Sequence, residues 1–347
     1  MLAGPGSRSP PAVVAAFPGG ERRPGRRHAA VAYPARVHDD FILLAGSANQ
    51  ALGRAVADYL DWPLAASETV RFSEGNTFVR VLENVRGRDI FLLQGTGPPT
   101  NDNFMELLFW IDALKRASAA SVTAVMPYFS YAKGDKKDEP RVSIRGRVCA
   151  DAMEVAGVDR VVTMDLHAPQ VSGFFRVPVD DLRALPVLCD TIEAKALPNL
   201  VVVSPDAGFA KKARVYSERL DVPLAIADKR RIDHSESAEV VELIGDVDGC
   251  TALIVDDFTI SAGTLVDAAR VLKERGATEV HAMVSHALLR EQSLAKLEAS
   301  EIERLYVTDS VEPQLEHEKI EVVSVAGLFG EAIRRISQKE SISVLFS

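Results

Sequence analysis

From Phe41 onward, short apolar runs rich in β-branched residues alternate with stretches whose apolar positions recur at helical spacing. The runs Phe41–Ala45, Ile90–Gln94, Val122–Met126, Arg160–Asp165, Leu200–Ser204, Ala252–Asp256 and Val280–Ser285 predict strands. They are nearly continuous rather than alternating, as expected of parallel strands covered on both faces. Helical patterns fall between them over Asn103–Arg116, Ser143–Ala156, Ala207–Leu220 and Thr264–Arg275. Strand–helix alternation of this kind predicts an α/β fold with parallel sheets flanked by helices.

The pattern also repeats. Ala57–Ala65 (ADYLDWPLA) is similar to Ser217–Ala225 (SERLDVPLA), 160 residues further on. The strand–helix–strand unit from Ile90 to Met126 has a counterpart from Ala252 to Val284 at nearly the same offset. A constant offset predicts a duplicated α/β domain, divided near residue 185 into 39–185 and 186–339, with the tail 340–347 joining the first half.

Composition narrows the class. The 347 residues carry a net charge of −9. Residues 1–38 hold six arginines against one acid, so they are +5 and the remainder is −14. An acidic body disfavours general nucleic-acid or anionic-membrane binding. No apolar run reaches the roughly 18 residues of a membrane span. Residues 1–38, rich in Gly, Pro, Arg and Ala, read as a disordered extension. Cys149, Cys189 and Cys250 are far apart and odd in number, which suits a reducing, cytoplasmic location better than a disulfide framework.

The strongest local motif is Val255-Asp256-Asp257-Phe258-Thr259-Ile260-Ser261-Ala262-Gly263-Thr264. An apolar strand ends in two carboxylates, a loop of small residues follows, and a helix begins. In parallel α/β sheets ligands bind at the carboxyl ends of strands. Small residues let backbone N–H groups approach a phosphate, and the helix N-terminus adds a favourable field. The two carboxylates suit the vicinal hydroxyls of a ribose; alternatively they cap the helix. No G-x-x-x-x-G-K-[ST] is present, and no G-x-G-x-x-G follows a strand, so the common nucleotide motifs are missing.

With those residues in view, Val255–Thr264 resembles the sugar-phosphate loop of phosphoribosyltransferase-fold proteins. The rest of the chain resembles the ribose-phosphate pyrophosphokinases: Arg71–Asn76, Asn101–Leu108, Asp112–Ala119, Asp165–Gln170 with Gly173-Phe174-Phe175, Val203–Gly208, Asp228–Arg231 and the tail Glu340–Ser347. The resemblance implies two tandem phosphoribosyltransferase-like domains and transfer of the β,γ-diphosphoryl group of ATP to the 1-hydroxyl of ribose 5-phosphate. It implies Lys229 and Arg231 as catalytic cations and His167 and Asp206 as Mg2+ ligands. Asp256, Asp257, Ser261, Ala262, Gly263 and Thr264 would hold ribose 5-phosphate. Phe72, Glu74, Asn76, Lys133, Gly134, Lys136, Lys137, Arg141 and His167 would hold ATP, with Tyr131–Arg141 as a mobile loop. Arg86, Ser341, Ser343 and Phe346 would fall in a regulatory region. A homo-oligomer is implied, because the family's adenine site is shared between subunits.

The chain departs from the family pattern in places. Glu74 and Asn76 stand where the family has Asp and Glu, and Lys133 and Gly134 where it has Arg and Gln. Ile260 replaces a third acid, Ser261 a Thr, Ser143-Ile144-Arg145 a Pro-Ile-Ser, and Asn84 a Ser. These differences keep two alternatives open, a non-catalytic regulatory subunit and a base phosphoribosyltransferase. Retention of Lys229, Arg231, His167, Asp206, Asp256 and Asp257 favours the active enzyme.

Overall fold

The structure, a computed structural model, describes residues 41–231, 239–313 and 316–346, and all their side chains except those of 228–231 and 239–241. The extension expected over 1–38 and the terminal Ser347 lie outside the described residues. The first half runs β1 (Phe41–Ala45), α1 (Gln50–Leu60), β2 (Ser67–Arg71), β3 (Thr77–Val81), β4 (Asp89–Leu93), α2 (Thr100–Arg116), β5 (Ser121–Met126), α3 (Arg145–Ala156), β6 (Arg160–Met164) and β7 (Val179–Leu182). The second runs α4 (Leu185–Lys195), β8 (Leu200–Ser204), α5 (Ala210–Leu220), β9 (Leu224–Arg231), β10 (Glu239–Ile244), β11 (Thr251–Thr259), α6 (Gly263–Glu274), β12 (Glu279–Ala287), α7 (Glu291–Glu298), β13 (Arg304–Thr308), β14 (Ile320–Val323) and α8 (Ala326–Ser337).

Two large sheets result. One has the order β1-β4-β5-β6-β7, the other β10-β9-β8-β11-β12-β13-β14. All pairs in the first are parallel, with Ile42, Ile90 and Val122 side by side. The second is mixed, because β10 runs antiparallel to β9, and β2 and β3 form a separate antiparallel hairpin. These departures from an all-parallel expectation follow from length: five residues separate β2 from β3 and seven separate β9 from β10, whereas a parallel pair needs a crossover of about a dozen residues or more. The expected helix from Ser143 starts at Arg145. The one from Ala207 starts at Ala210, after Asp206 Oδ1 accepts the Phe209 amide at 2.8 Å.

The sequence repeat has a geometric counterpart. Helices α1 and α5 both end on a left-handed aspartate, Asp61 at φ 53° and Asp221 at φ 52°. The next amide in each returns to the last turn, Trp62 N to Ala57 O at 3.0 Å and Val222 N to Ser217 O at 3.1 Å. Leu64 then bridges β1 in parallel as Leu224 pairs with Val202.

Three apolar layers hold the fold. One lies between the sheets, where α1, α4, α5 and α8 bury Val56, Leu188, Tyr216 and Phe329 against Leu43, Phe91, Leu253 and Met283. The outer layers pack α2 and α3 on the first sheet and α6 and α7 on the second. Phe329 and Ile333 of α8 are fully buried, each worth about 2 kcal/mol in removed apolar surface. Gly330 lets α8 approach α1, since a Cβ there would lie 2.3 Å from Tyr59 Cδ1.

Candidate active site

The carboxyl ends of the two sheets face each other, and polar side chains bridge them. His286 of β12 meets the Met164 carbonyl at 3.1 Å, and Ser285 donates to Asp165. Asp165, at φ 44°, turns the chain out of β6 and carries His167 toward the second sheet. There the His167 Nδ1 lies 3.0 Å from Asp257 Oδ2. Lys212, on the first turn of α5, donates to the same oxygen at 3.1 Å and reaches the His167 carbonyl at 3.5 Å. His167 packs edge-on against Phe258, and the Lys133 ammonium lies over the other part of that ring, 2.9 Å from its centroid.

These groups lie at the topological switch point of the second sheet. From β8 the chain turns to β9 on one side and later returns to β11 on the other, which opens a crevice at the strand ends. Asp206 follows β8 and is exposed; Asp256 and Asp257 follow the fully buried run Thr251–Val255 of β11. The two neighbouring acids are driven apart. Burial, Asp257 beside it and the Asp206 field raise Asp256 well above the usual carboxylate range. Burial also opposes ionisation of Asp257, but the His167 hydrogen bond and the Lys212 ammonium outweigh it and hold this carboxyl below its ordinary range. Asp257 therefore stays anionic and orients His167, with its Oδ1 left for other donors, while Asp256 gains a proton readily unless a cation approaches.

The loop after β11 has the shape that its small residues allow. Ala262 is buried and left-handed at φ 56°, with its amide turned inward to Thr259 Oγ1 at 3.2 Å. The Gly263 amide faces Ser261 Oγ at 3.4 Å. Ser261 and Thr264 are exposed, and α6 starts at Gly263, so the first amides of this helix have no partner within the helix itself.

The equivalent switch point of the first sheet, between β1 and β4, is filled by the protein itself. Gln94 accepts the Ala48 amide at 3.1 Å, Asn49 accepts the Gly95 amide at 2.8 Å, and the buried Glu106 accepts the Ser47 amide at 2.8 Å and the Trp110 indole at 3.2 Å. A Cβ at Gly46 would lie 2.1 Å from Gln94 Oε1. Of the two matching switch points, side chains close one.

The other expected residues are placed as follows. Lys229 and Arg231 lie in β9, opposite Val241 and Glu239 of β10; their side chains lie outside the described residues. Lys133 and Gly134 sit at the end of a 3-10 turn, with Gly146 N donating to Gly134 O at 3.0 Å, so this end of the polar loop is tied down. Lys136, Lys137 and Arg141 are exposed beyond it. Phe72, Glu74 and Asn76 form the tip of the β2–β3 hairpin, where Phe72 is 45% exposed; no described contact joins them to the His167–Asp257 cluster. Arg86 bonds Ser118 at 3.1 Å, and Arg335 bonds the Ser341 carbonyl at 3.0 Å. Ser343 and Phe346 flank the last 3-10 turn. Lys212, which holds Asp257 and His167 together, was not singled out from the sequence; its only signal is a cation in the first turn of the helix after Asp206. A cavity of about 960 Å3 is lined mainly by apolar residues such as Pro98, Leu289, Val311 and Ile320, with Arg290 on its wall.

Fold and site together define a two-sheet protein of the phosphoribosyltransferase type. The N-terminal domain of ribose phosphate pyrophosphokinase matches residues 41–157, and the phosphoribosyl synthetase-associated domain matches residues 233–347. The ribose-phosphate pyrophosphokinase of Maricaulis maris is 48% identical over 308 residues, covering 88% of this chain and 99% of that protein. That of Wolinella succinogenes is 44% identical over 304 residues, covering 88% and 98%. The crystal structure of phosphoribosylpyrophosphate synthetase from Mycobacterium smegmatis superposes with a TM-score of 0.81 at 36% identity, over 86% of this chain and 99% of that one. The chain belongs to the ribose-phosphate pyrophosphokinase family.

Proposed function

We infer that the crevice between β8 and β11 is where this enzyme works. It transfers the diphosphoryl group of ATP to the 1-hydroxyl of ribose 5-phosphate, giving 5-phosphoribosyl 1-pyrophosphate and AMP. The observation that carries the site assignment is the convergence of His167, Lys212, Asp206, Asp256 and Asp257 beside the strand-to-helix loop. In this reading Ser261, Gly263 and Thr264, with the α6 N-terminus, seat the 5-phosphate. Asp256 and the open oxygen of Asp257 take the ribose hydroxyls. Lys229 and Arg231 neutralise charge on the moving diphosphoryl group as the 1-hydroxyl loses its proton, attacks the β-phosphorus and displaces AMP. Lys133, Gly134, Lys136, Lys137 and Arg141 close over the polyphosphate and exclude water.

Mg2+ fits this donor set. Asp206 keeps one carboxylate oxygen free of the Phe209 amide, and His167 engages Asp257 through Nδ1, leaving Nε2 outward. Among the described residues no three His, Cys, Asp or Glu side chains form a cage; Mg2+ ordinarily takes one or two carboxylates, substrate phosphates and water. When bound, it would offset the polyphosphate charge. The exposed Phe72 tip, with Glu74 and Asn76, touches no residue of the crevice among the described residues, which supports a homo-oligomer in which it covers adenine bound by a neighbour. Arg86, Ser341, Ser343 and Phe346 would then belong to a regulatory region. The two halves, 39–185 and 186–339, are read as tandem domains. Free thiols at all three cysteines suit the cytoplasm, and among the described residues no helix is long and apolar enough to cross a membrane.

AMP formation from ATP and ribose 5-phosphate, with Mg2+ and with excess EDTA, tests the reading. Activity should require Mg2+, and Lys229→Ala should lower kcat by at least about 100-fold while ribose 5-phosphate still binds. No AMP from the chain alone, with a changed rate on mixing with an active synthetase, would identify a regulatory subunit instead.

A further inference from the structure

A second cleft, of about 310 Å3, adjoins the sugar-phosphate loop. Lys133, Arg145 and Arg290 line it, together with Gly134, Ile260 and Tyr128, and no described carboxylate does. Its walls come from five separate stretches: the segment entering α2, the turn after β5, the first residue of α3, the residue after β11 and the segment entering α7.

Local packing fixes the two arginines. A Cβ at Gly134 would lie 2.8 Å from Arg145 Cβ and 2.9 Å from its Nε, so the missing side chain at 134 makes the room Arg145 occupies. Gly134 has φ −90°, so space rather than backbone conformation selects glycine. On the opposite wall the Ser293 hydroxyl donates to the Ile260 carbonyl at 2.8 Å and accepts from the Arg290 amide at 3.4 Å, which seats Arg290 beside Ile260. Ile260 is 46% exposed, an apolar side chain at a rim where a carboxylate would offset the cations. Among the described residues neither arginine takes part in an ion pair. The positions 133, 134, 145 and 260, at which the chain departs from its family's usual residues, thus converge on one cleft. Together they remove an acid, exchange a guanidinium for an ammonium at 133 and bring a guanidinium to 145.

We propose that this cleft is a phosphate subsite in which Arg145 and Arg290, with Lys133, hold the terminal phosphate of ATP. The proposal rests on the ATP-dependent reading above and adds two residues to it. Arg145 and Arg290 have no carboxylate partner among the described residues, whereas Lys133 lies on the Phe258 ring within the field of Asp256 and Asp257; guanidinium groups engage phosphate oxygens in pairs.

Calorimetric titration of the full-length protein, saturated with ribose 5-phosphate, tests the assignment. The probes are α,β-methylene ATP, whose scissile bridge is carbon, AMP, inorganic pyrophosphate and inorganic phosphate. Arg145→Met and Arg290→Met should each weaken the ATP analogue and pyrophosphate at least tenfold and leave AMP within twofold. AMP lacks the terminal phosphates, so its retained binding also reports an intact fold. Gly134→Ala, which displaces Arg145 without removing it, should weaken the analogue in the same sense. Unchanged affinity for the analogue in both arginine variants, or equal losses of analogue and AMP, overturns the subsite. Loss of inorganic phosphate binding alone would assign the cleft to a free anion and overturn the nucleotide assignment. A wild-type chain that bound neither nucleotide would overturn the functional reading instead. Pyrophosphate would still test the cleft, which fails if the variants bind it as the wild type does.

Discussion

His286 holds the two halves together, and His286→Gln measures what that bond contributes. The ring is buried on β12, with Nε2 at 3.1 Å from Met164 O, Nδ1 at 2.8 Å from Ser310 Oγ, and its centroid 4.8 Å from that of Tyr128. A carbonyl only accepts, so Nε2 carries the hydrogen and Nδ1 accepts from the Ser310 hydroxyl; the ring is neutral. Burial holds its protonation below the ordinary histidine range, against the pull of Asp165, the Met164 carbonyl and Asp257. Each hydrogen bond contributes about 1 kcal/mol, the Tyr128 contact about 1 kcal/mol, and the space left by the ring costs about 1 kcal/mol more. Glutamine restores one hydrogen bond, so the variant should lose about 3 kcal/mol in denaturant unfolding at pH 8. The gap should also depend on pH. A histidine kept neutral in the fold binds its proton more weakly than in the unfolded chain. Its contribution is complete above the unfolded value of about 6.5 and falls below it, by up to about 1.4 kcal/mol per pH unit for one proton. The variant lacks this component, so the gap should narrow between pH 7 and pH 5.5. A gap that stays constant or widens over that range would refute the assignment of a neutral, doubly bonded ring.

Three further outcomes follow from the site and its counterpart. Asp257→Asn removes the carboxylate that holds Lys212 and His167; both partners are a third or more exposed, so screening reduces each bond to about 1 kcal/mol. Calorimetry should show Tm lowered by about 4 °C, with kcat reduced at least about tenfold, and an unchanged Tm at low salt would remove the clamp from the account. Ala262→Val places a β-branched side chain at a buried left-handed position, at about 2 kcal/mol, and should raise KM for ribose 5-phosphate more than KM for ATP; equal rises would separate the loop from the sugar phosphate. Glu106→Ala leaves the Ser47 amide and the Trp110 indole without their buried acceptor, so denaturant unfolding should show a loss of at least about 3 kcal/mol; a loss under 1 kcal/mol would mean that water replaces the carboxylate.

Much of this protein was legible along the chain. The continuous apolar runs from Phe41, Ile90, Val122, Leu200, Ala252 and Val280 are strands because a parallel sheet covered on both faces leaves no solvent side to show alternation. The repeat around Leu60-Asp61 and Leu220-Asp221 encodes one helix ending twice, with a short polar side chain that tolerates φ near +50°. The loop Ser261–Thr264 was equally local, since small residues at a strand–helix junction leave their mark within ten positions. Tertiary structure alone decided the rest. Asp257, adjacent in sequence to Asp256, is driven the opposite way in acidity because His167 and Lys212, 90 and 45 residues distant, reach only one of the two carboxylates. Which of the two matching crevices stays open depends on whether Gln94, Asn49 and Glu106 fold into it. The meeting of Lys133, Arg145 and Arg290 follows from two crossover connections, β5 to β6 through α3 and β12 to β13 through α7. Periodicity and turn chemistry act between neighbours in the chain, whereas charge, burial and open space act between neighbours in space.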